Sequence, residues 1–320
     1  MGIGEDFVRR ISAGEVIVLD GAATTELQRR GVPMDETAWG GASNLQNIDA
    51  VRALHEDYIF AGADVIITNT HCTNRAGLEP AGLGERVKDA NVQAVKAALQ
   101  ARDAAADRPV AVAGSISSFC PYAMDETGSE TGADLRNSSN FREQAEILAE
   151  AGVDLLALEM MDSESYGVAA IEAALSTGLP VWLGMSPIRV PSGHLGTYGL
   201  TPCVMPEDDP DHPDAFMELA EAQVRPGLAA VTLMHVKTDV IPDALKTVRR
   251  YFPDVPVGVY AESGDWTPPD WVFSGLSPED YLKEAQGWVQ AGVQIVGGCC
   301  GTGPHHVRAL AQGLPKRLGA

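Results

Sequence analysis

One phrase recurs along this chain at the spacing of a repeated fold unit. Ala61-Gly62-Ala63-Asp64 runs into VIITNT, Ala151-Gly152-Val153-Asp154 into LLALEM, and Ala291-Gly292-Val293-Gln294 into IVGGCC. Each reads as a helix closing on glycine and followed at once by a strand. A second phrase does the same work, with Pro-Val opening PVAVAGS at 109, PVWLGMS at 180 and PVGVYAE at 256. Proline at the first strand position gives up no ladder hydrogen bond that the strand needs. EVIVLDG from Glu15 and LAAVTLMH from Leu228 complete eight short, nearly continuous apolar runs, the pattern of parallel strands buried on both faces.

Amphipathic segments fill the intervals at 46–61, 84–104, 140–151, 164–177, 214–225, 239–251 and 278–291, with an eighth expected after Thr302. Strict alternation of eight strands with eight helices predicts a closed (β/α)8 TIM barrel, an α/β fold occupying 1–320 as one domain; an open flavodoxin-like sheet is the alternative. The segments that follow strands include long ones at 116–139, 187–213 and 263–277, whereas those leading into strands are short. Elaboration therefore falls on the face where such barrels carry their chemistry. The Pro/Gly/Asp-rich 187–213 loop reads as a lid.

Composition narrows the partners. Lys and Arg number 23 against 44 Asp and Glu, a net charge of -21, which repels phosphate backbones and argues against nucleic acid. No apolar run reaches the ~18 residues of a membrane span, and the N-terminal MGIGEDFVRRI lacks a signal-peptide core. Five cysteines, odd in number and including an adjacent pair, do not form a disulfide framework. The expectation is a protein of the reducing cytoplasm, off the membrane. An acidic surface suits monomers and larger assemblies alike.

The strand ends are polar, and in a barrel they converge. Strand one ends in Asp20-Gly21, strand two in Thr68-Asn69-Thr70 followed by His71 and Cys72, and strand four in Glu159. Strand six ends in His235, strand seven in Glu262 and strand eight in Cys299-Cys300. A catalytic zinc takes three protein donors from sulfur and imidazole nitrogen and keeps a fourth position open, an inventory that His235, Cys299 and Cys300 fit, with His71 and Cys72 as competing ligands. Neighbouring strand residues point to opposite faces, so two adjacent thiols reach one ion only where the backbone leaves strand geometry. Gly297, Gly298 and Gly301 permit that. The bland alternatives are a buried cysteine pair, a neutral core histidine, a capping Asp20 and an ion-paired Glu159. His305 and His306 read as the start of the last helix, and Cys120 and Cys203 as loop cysteines without metal spacing.

These residues resemble the homocysteine S-methyltransferases, the pterin-free group that includes betaine- and S-methylmethionine-dependent enzymes. The resemblance runs along most of the chain: Leu19-Asp20-Gly21-Ala22 with Thr25-Glu26-Leu27 and Gly31, Ala61 to Asp64 into Thr68-Asn69-Thr70, Ala113-Gly114-Ser115, Leu158-Glu159, Tyr260 with Ser263-Gly264, and Gly297-Gly298-Cys299-Cys300-Gly301. It implies a zinc held by three cysteines, the last two being Cys299 and Cys300. It also implies that Asp20 and Glu159 hold the amino group of homocysteine, with Asn69 and Thr70 in the substrate site. Two motifs depart from the family. Leu233-Met234-His235 stands where an Asn and the first cysteine are expected, and Ala261-Glu262-Ser263-Gly264 replaces Pro-Asn-Ser-Gly.

The expected activity is zinc-dependent methyl transfer from a small onium donor, such as S-methylmethionine, betaine, S-adenosylmethionine or dimethylsulfoniopropionate, to the thiol of homocysteine or a related thiol. The chain is too short for added cobalamin and folate modules, so the donor binds directly. Trp39, Trp266 and Trp271 are candidates to face its cation. With two thiolates and a neutral histidine the site would carry zero charge instead of -1, hold the acceptor sulfur more tightly and slow its attack. The alternatives are a zinc-binding or thiol-sensing barrel without turnover, and a lyase or hydrolase using zinc as a Lewis acid.

Overall fold

The structure is a computed structural model and describes residues 2–118, 138–198, 214–267, 270–272 and 275–319. The eight apolar runs form β1 (Ile17–Val18), β2 (Val65–Ile67), β3 (Ala111–Ser117), β4 (Leu155–Glu159), β5 (Val181–Met185), β6 (Leu228–Met234), β7 (Val257–Ala261) and β8 (Ile295–Gly298). All pair in parallel in the order β1-β8-β7-β6-β5-β4-β3-β2, and a parallel bridge from Leu19 to Val65 joins β1 to β2 and closes the ring. The chain is a (β/α)8 barrel, as the repeated phrase predicts.

Among the described residues, eight helices of eight residues or more separate and follow the strands: α1 (Ile48–Ala61), α2 (Val87–Ala105), α3 (Ser138–Ala151), α4 (Glu164–Leu175), α5 (Ala215–Ala222), α6 (Ile241–Tyr251), α7 (Pro278–Gln290) and α8 (Pro304–Gly313). The repeated glycines act as the sequence suggests. Gly62, Gly152 and Gly292 have φ of 114°, 99° and 88°, a left-handed conformation that stops each helix before its strand.

Side-chain parity sorts the strands into two cores. Val16, Val18, Ile66, Val112, Leu156 and Val231 face the helices, whereas Ile17, Leu19, Val65, Ala111, Ala113, Leu155, Ala157, Trp182, Ala230, Tyr260 and Ile295 fill the barrel. A helix the repeat pattern does not announce, Ile3–Ser12, closes the floor by sending Phe7 and Ile11 into that inner cluster. Gln294 ties it down by donating to the Ile11 carbonyl at 2.6 Å. Its close approach uses Gly4, where a Cβ would fall 2.0 Å from the Asp154 carbonyl oxygen. With the floor shut, only the opposite end of the barrel stays open for chemistry.

The long loops after β5 and β7 each carry a small antiparallel hairpin, Pro187–Arg189 with Leu195–Thr197 and Asp265–Thr267 with Asp270–Val272. Cys120, Cys203, the 199–213 part of the expected lid and the side chains of Trp266 and Trp271 lie outside the described residues. Among the described residues no helix is long and apolar enough to cross a membrane.

His55 of α1 breaks the rule that buried polar groups find partners. It is 1% exposed, and neither ring nitrogen meets a partner among the described residues. Burial pulls its pKa down to about 4 from 6.5. The unfolded chain binds this proton below about 6.5 and the folded chain only below about 4, so the group costs stability as pH falls through that window, up to about 3 kcal/mol. His55→Leu is expected to flatten the fall in unfolding free energy between pH 7 and pH 4.5. Parallel denaturation curves for variant and wild type would contradict it.

Candidate metal and substrate site

The site is built from the turn that follows β8. Gly298 N–H donates to the Asp20 carbonyl at 2.9 Å and Cys299 N–H to the Ala261 carbonyl at 2.8 Å, so the strand is still paired on both sides where it ends. The chain then folds back. Thr302 N–H and its hydroxyl both donate to the Cys299 carbonyl, at 3.1 and 2.7 Å, Ser263 N–H takes the Cys300 carbonyl at 2.8 Å, and Gly301 N–H reaches the Thr25 hydroxyl at 3.1 Å. This turn takes both cysteines out of strand geometry, as two thiols on one ion require. The glycines are steric necessities. A Cβ at Gly297 would fall 2.5 Å from Leu19 Cβ, one at Gly298 2.2 Å from the Thr302 hydroxyl, and one at Gly301, where φ is 80°, 1.6 Å from the Ser263 carbonyl oxygen.

The third group arrives from the neighbouring side. β6 ends at Met234, one residue before the sequence pattern suggested, and His235 takes a left-handed φ of 46°. Histidine tolerates this region better than most residues, and a strained residue at a strand end is a mark of function. The turn brings His235 Nδ1 to 3.8 Å from Cys299 Sγ, and one donor atom each of His235, Cys299 and Cys300 lie within 4.8 Å of one another. This is the donor cluster that the strand ends pointed to. Two soft sulfurs and one imidazole nitrogen form the chemistry of a zinc site with one position to spare, so the residues present fit that ion.

The electrostatics of the three are linked. The hydrogen bond from Cys300 brings the Cys299 thiol down to about 5 against the effect of burial, and His235 adds to the fall. Cys300, giving that hydrogen bond from a partly buried position, is pushed well above the ordinary thiol range by the hydrogen bond and by desolvation. Burial pulls His235 down, but its hydrogen bond with Cys299 and the Glu262 and Cys299 charges outweigh burial and raise it to about 9. The site already favours one thiolate.

The carboxylates stand across the mouth. Glu159 continues the inward parity of Leu155 and Ala157; it accepts a short hydrogen bond from the Ser115 hydroxyl and lies 3.2 Å from His71 Nδ1. His71 Nε2 in turn meets the Ser117 hydroxyl at 3.3 Å. His71 is thus the carboxylate's neighbour, and among the described residues neither it nor Cys72 joins the donor cluster. Asp20 accepts from Ile67 N–H at 2.8 Å; burial pushes its carboxyl well above the usual range, Ile67 opposes this and the Glu159 charge adds to it. Asp20 and Glu159 are thus two buried carboxylates at one mouth of the barrel, close enough for the charge of Glu159 to raise Asp20.

Asn69 and Thr70 are bonded within the chain. Asn69 donates to the Gly40 carbonyl and the Asn44 side chain, both at 2.9 Å, and Thr70 donates to the Ser115 carbonyl at 2.7 Å. They fix the turn that carries His71. His306 caps α8, its Nδ1 accepting from Gly303 N–H at 3.2 Å and its Nε2 lying 3.0 Å from the Leu276 carbonyl. Trp39 is partly buried with a φ of 46°.

The structure adds residues that sequence reasoning passed over. Tyr198, beyond the first hairpin, places its ring centroid 5.4 Å from that of His235. Asp162, three residues past Glu159, is buried with one oxygen accepting from Ser186 N–H at 2.8 Å and the other without a partner among the described residues. Burial raises it to about 7, with Ser186 and the His235 charge opposing. Ser115 and Ser117 were findable, since they share the inward parity of Ala111 and Ala113; Tyr198 gave no periodic signal.

Comparison with known proteins now decides the family. The sequence profile described as homocysteine S-methyltransferase matches residues 17–314. The chain belongs to the homocysteine S-methyltransferase family. It is 28% identical to homocysteine S-methyltransferase 2 of Zea mays over 98% of this chain and 95% of that protein. It is 27% identical to the betaine–homocysteine S-methyltransferase 1 of Mus musculus over 98% of this chain and 75% of that one. Its fold matches the metallated form of the homocysteine methyltransferase MmuM from Escherichia coli with a TM-score of 0.67 at 24% identity, covering 93% of this chain and 96% of that one. Members are thiol methyltransferases, and the barrel's open end holds the only cluster of three metal-ligating side chains found among the described residues.

Because Gly301 holds the turn, Gly301→Ala is expected to cost on the order of 2 kcal/mol or more. It should also lower the metal content of purified protein. Wild-type melting temperature together with wild-type metal content would show that the turn does not depend on this glycine.

Proposed function

We propose that the chain catalyses zinc-dependent methyl transfer from a small onium donor to the thiol of homocysteine or a closely related thiol, acting as a single barrel domain over 1–320. The observation that carries this reading is the meeting of two thiols and an imidazole within 4.8 Å at the end of the barrel that also holds Asp20 and Glu159. His235, Cys299 and Cys300 would hold the ion. Bound zinc supplies a Lewis acid that lowers a thiol's pKa from ~8.5 and so keeps the acceptor as thiolate at neutral pH.

The remaining work falls to the protein. Asp20 and Glu159 bind the ammonium of the amino-acid acceptor, and Ser115 and His71 hold the Glu159 carboxylate toward it. This pairing orients the acceptor so that its sulfur lies at the donor cluster, and orientation of this kind is where much of the rate gain of a two-substrate reaction arises. Asn69 and Thr70 contribute through the turn they brace. Tyr198, against the His235 ring, covers the cluster and keeps water from it. The acceptor sulfur forms a bond to the methyl carbon as the donor's bond to that methyl breaks, its electron pair staying with the donor. The donors that suit this are S-methylmethionine, betaine, S-adenosylmethionine and dimethylsulfoniopropionate, and their cationic charge agrees with an acidic site. Cys299 and Cys300 are free thiols, which suits the reducing cytoplasm.

Purified protein is expected to hold about one zinc per chain, and His235→Ala to lose most of it. Undiminished zinc in that variant would remove His235 from the ligand set. A panel of the four donors with homocysteine should yield methylated thiol from at least one. Asp20→Asn and Glu159→Gln should each raise KM for homocysteine roughly tenfold or more while leaving zinc in place, since a charged hydrogen bond contributes about 1.5–3 kcal/mol. Zinc-loaded protein that transfers from no donor would favour the thiol-sensing alternative.

A further inference from the structure

A zinc ion in protein is almost always four-coordinate, and the cluster described above supplies three donors. Glu262 stands next to it. It follows β7, continues the inward parity of Gly258 and Tyr260, and is 6% exposed. Its Oε2 lies 3.5 Å from His235 Nδ1, and its Oε1 lies 3.2 Å from Lys237 Nζ. Nδ1 is the same atom that meets Cys299 Sγ, so it is the nitrogen that would face an ion held there. Two donors held about 2.1 Å from a tetrahedral ion stand about 3.4 Å apart, and a sulfur and a nitrogen about 3.6 Å apart. The Oε2–Nδ1 distance therefore matches the spacing that two ligands on one ion would have, and the Sγ–Nδ1 distance of 3.8 Å is close to it.

Lys237 also donates to the Gly264 carbonyl at 2.7 Å, which anchors its ammonium and with it the far oxygen of Glu262. One carboxylate oxygen is thus tethered and the other turned toward the imidazole. Charge points the same way. Two thiolates and a neutral imidazole leave a zinc site at zero, and one carboxylate returns it to -1.

Resting on the metal centre of the proposed function, we propose that Glu262 is the fourth donor in the thiol-free protein, completing a His-Cys-Cys-Glu set, and that it occupies the position the acceptor thiol takes over. The carboxylate balances the ion's charge only until the acceptor thiolate takes its place. The displaced carboxylate has a ready partner in Lys237, so the exchange leaves no buried charge unpaired.

The test is zinc affinity, measured by competition with a chromophoric chelator, for wild type and Glu262→Gln, each with and without saturating homocysteine. The proposal expects Glu262→Gln to bind zinc at least about tenfold more weakly without the thiol and within threefold of wild type with it. Equal affinities without the thiol overturn it, and so does the same loss in both conditions, which would mark a structural role alone. Wild type that binds no zinc overturns the metal centre itself, a distinguishable result. Infrared difference spectra of wild type, zinc-loaded minus metal-free, need no variant: a shifted carboxylate stretch that homocysteine reverses supports the proposal, and an unshifted one overturns it.

Discussion

The chemistry of this barrel depends on a short stretch of backbone hydrogen bonding after β8. Two adjacent cysteines cannot serve one ion from a strand; here the strand ends between Gly298 and Cys299, and the following turn is pinned to Ser263 past β7 and to the Thr25 hydroxyl, so both cysteines leave strand geometry. The three glycines leave room for Leu19 and the Asp20 carbonyl, the Thr302 side chain and the Ser263 carbonyl, each of which comes within contact of where a Cβ would be. The floor helix, the inner apolar layers and the repeated glycine helix stops all serve to hold β7, β8 and β1 in register beneath that turn.

The fold was legible because its signals are periodic. Eight apolar runs recur, three of them announced by helix-closing glycines and three by strand-opening prolines, and the strand order follows from them. The floor helix Ile3–Ser12 was not legible, because it occurs once and its two anchoring side chains, Phe7 and Ile11, show no relation in sequence to the strands they fill. The hairpins after β5 and β7 sit within loops whose length was visible and whose pairing was not.

For the site, the residue types at strand ends were readable, since convergence at one barrel face is a property of the topology. His235, Cys299 and Cys300 do come together. The assignment of partners was not readable. His71, a competing ligand in the sequence, is bound up with Glu159 and Ser117, and Asn69 and Thr70 make their hydrogen bonds inward. Such contacts join residues separated by 25 to 88 positions, and only the barrel's curvature decides which neighbours meet. The two departures from the family pattern, His235 and Glu262, looked independent in sequence; the structure places them 3.5 Å apart, in one site.

The most direct test of this account is a crystal of the protein grown with zinc and measured at the zinc absorption edge. The account predicts one strong anomalous peak at the C-terminal end of the barrel, within bonding distance of His235 Nδ1 and of the sulfurs of Cys299 and Cys300. A peak bound instead at His71 and Cys72, or zinc-loaded protein with no peak at the three residues, would contradict it.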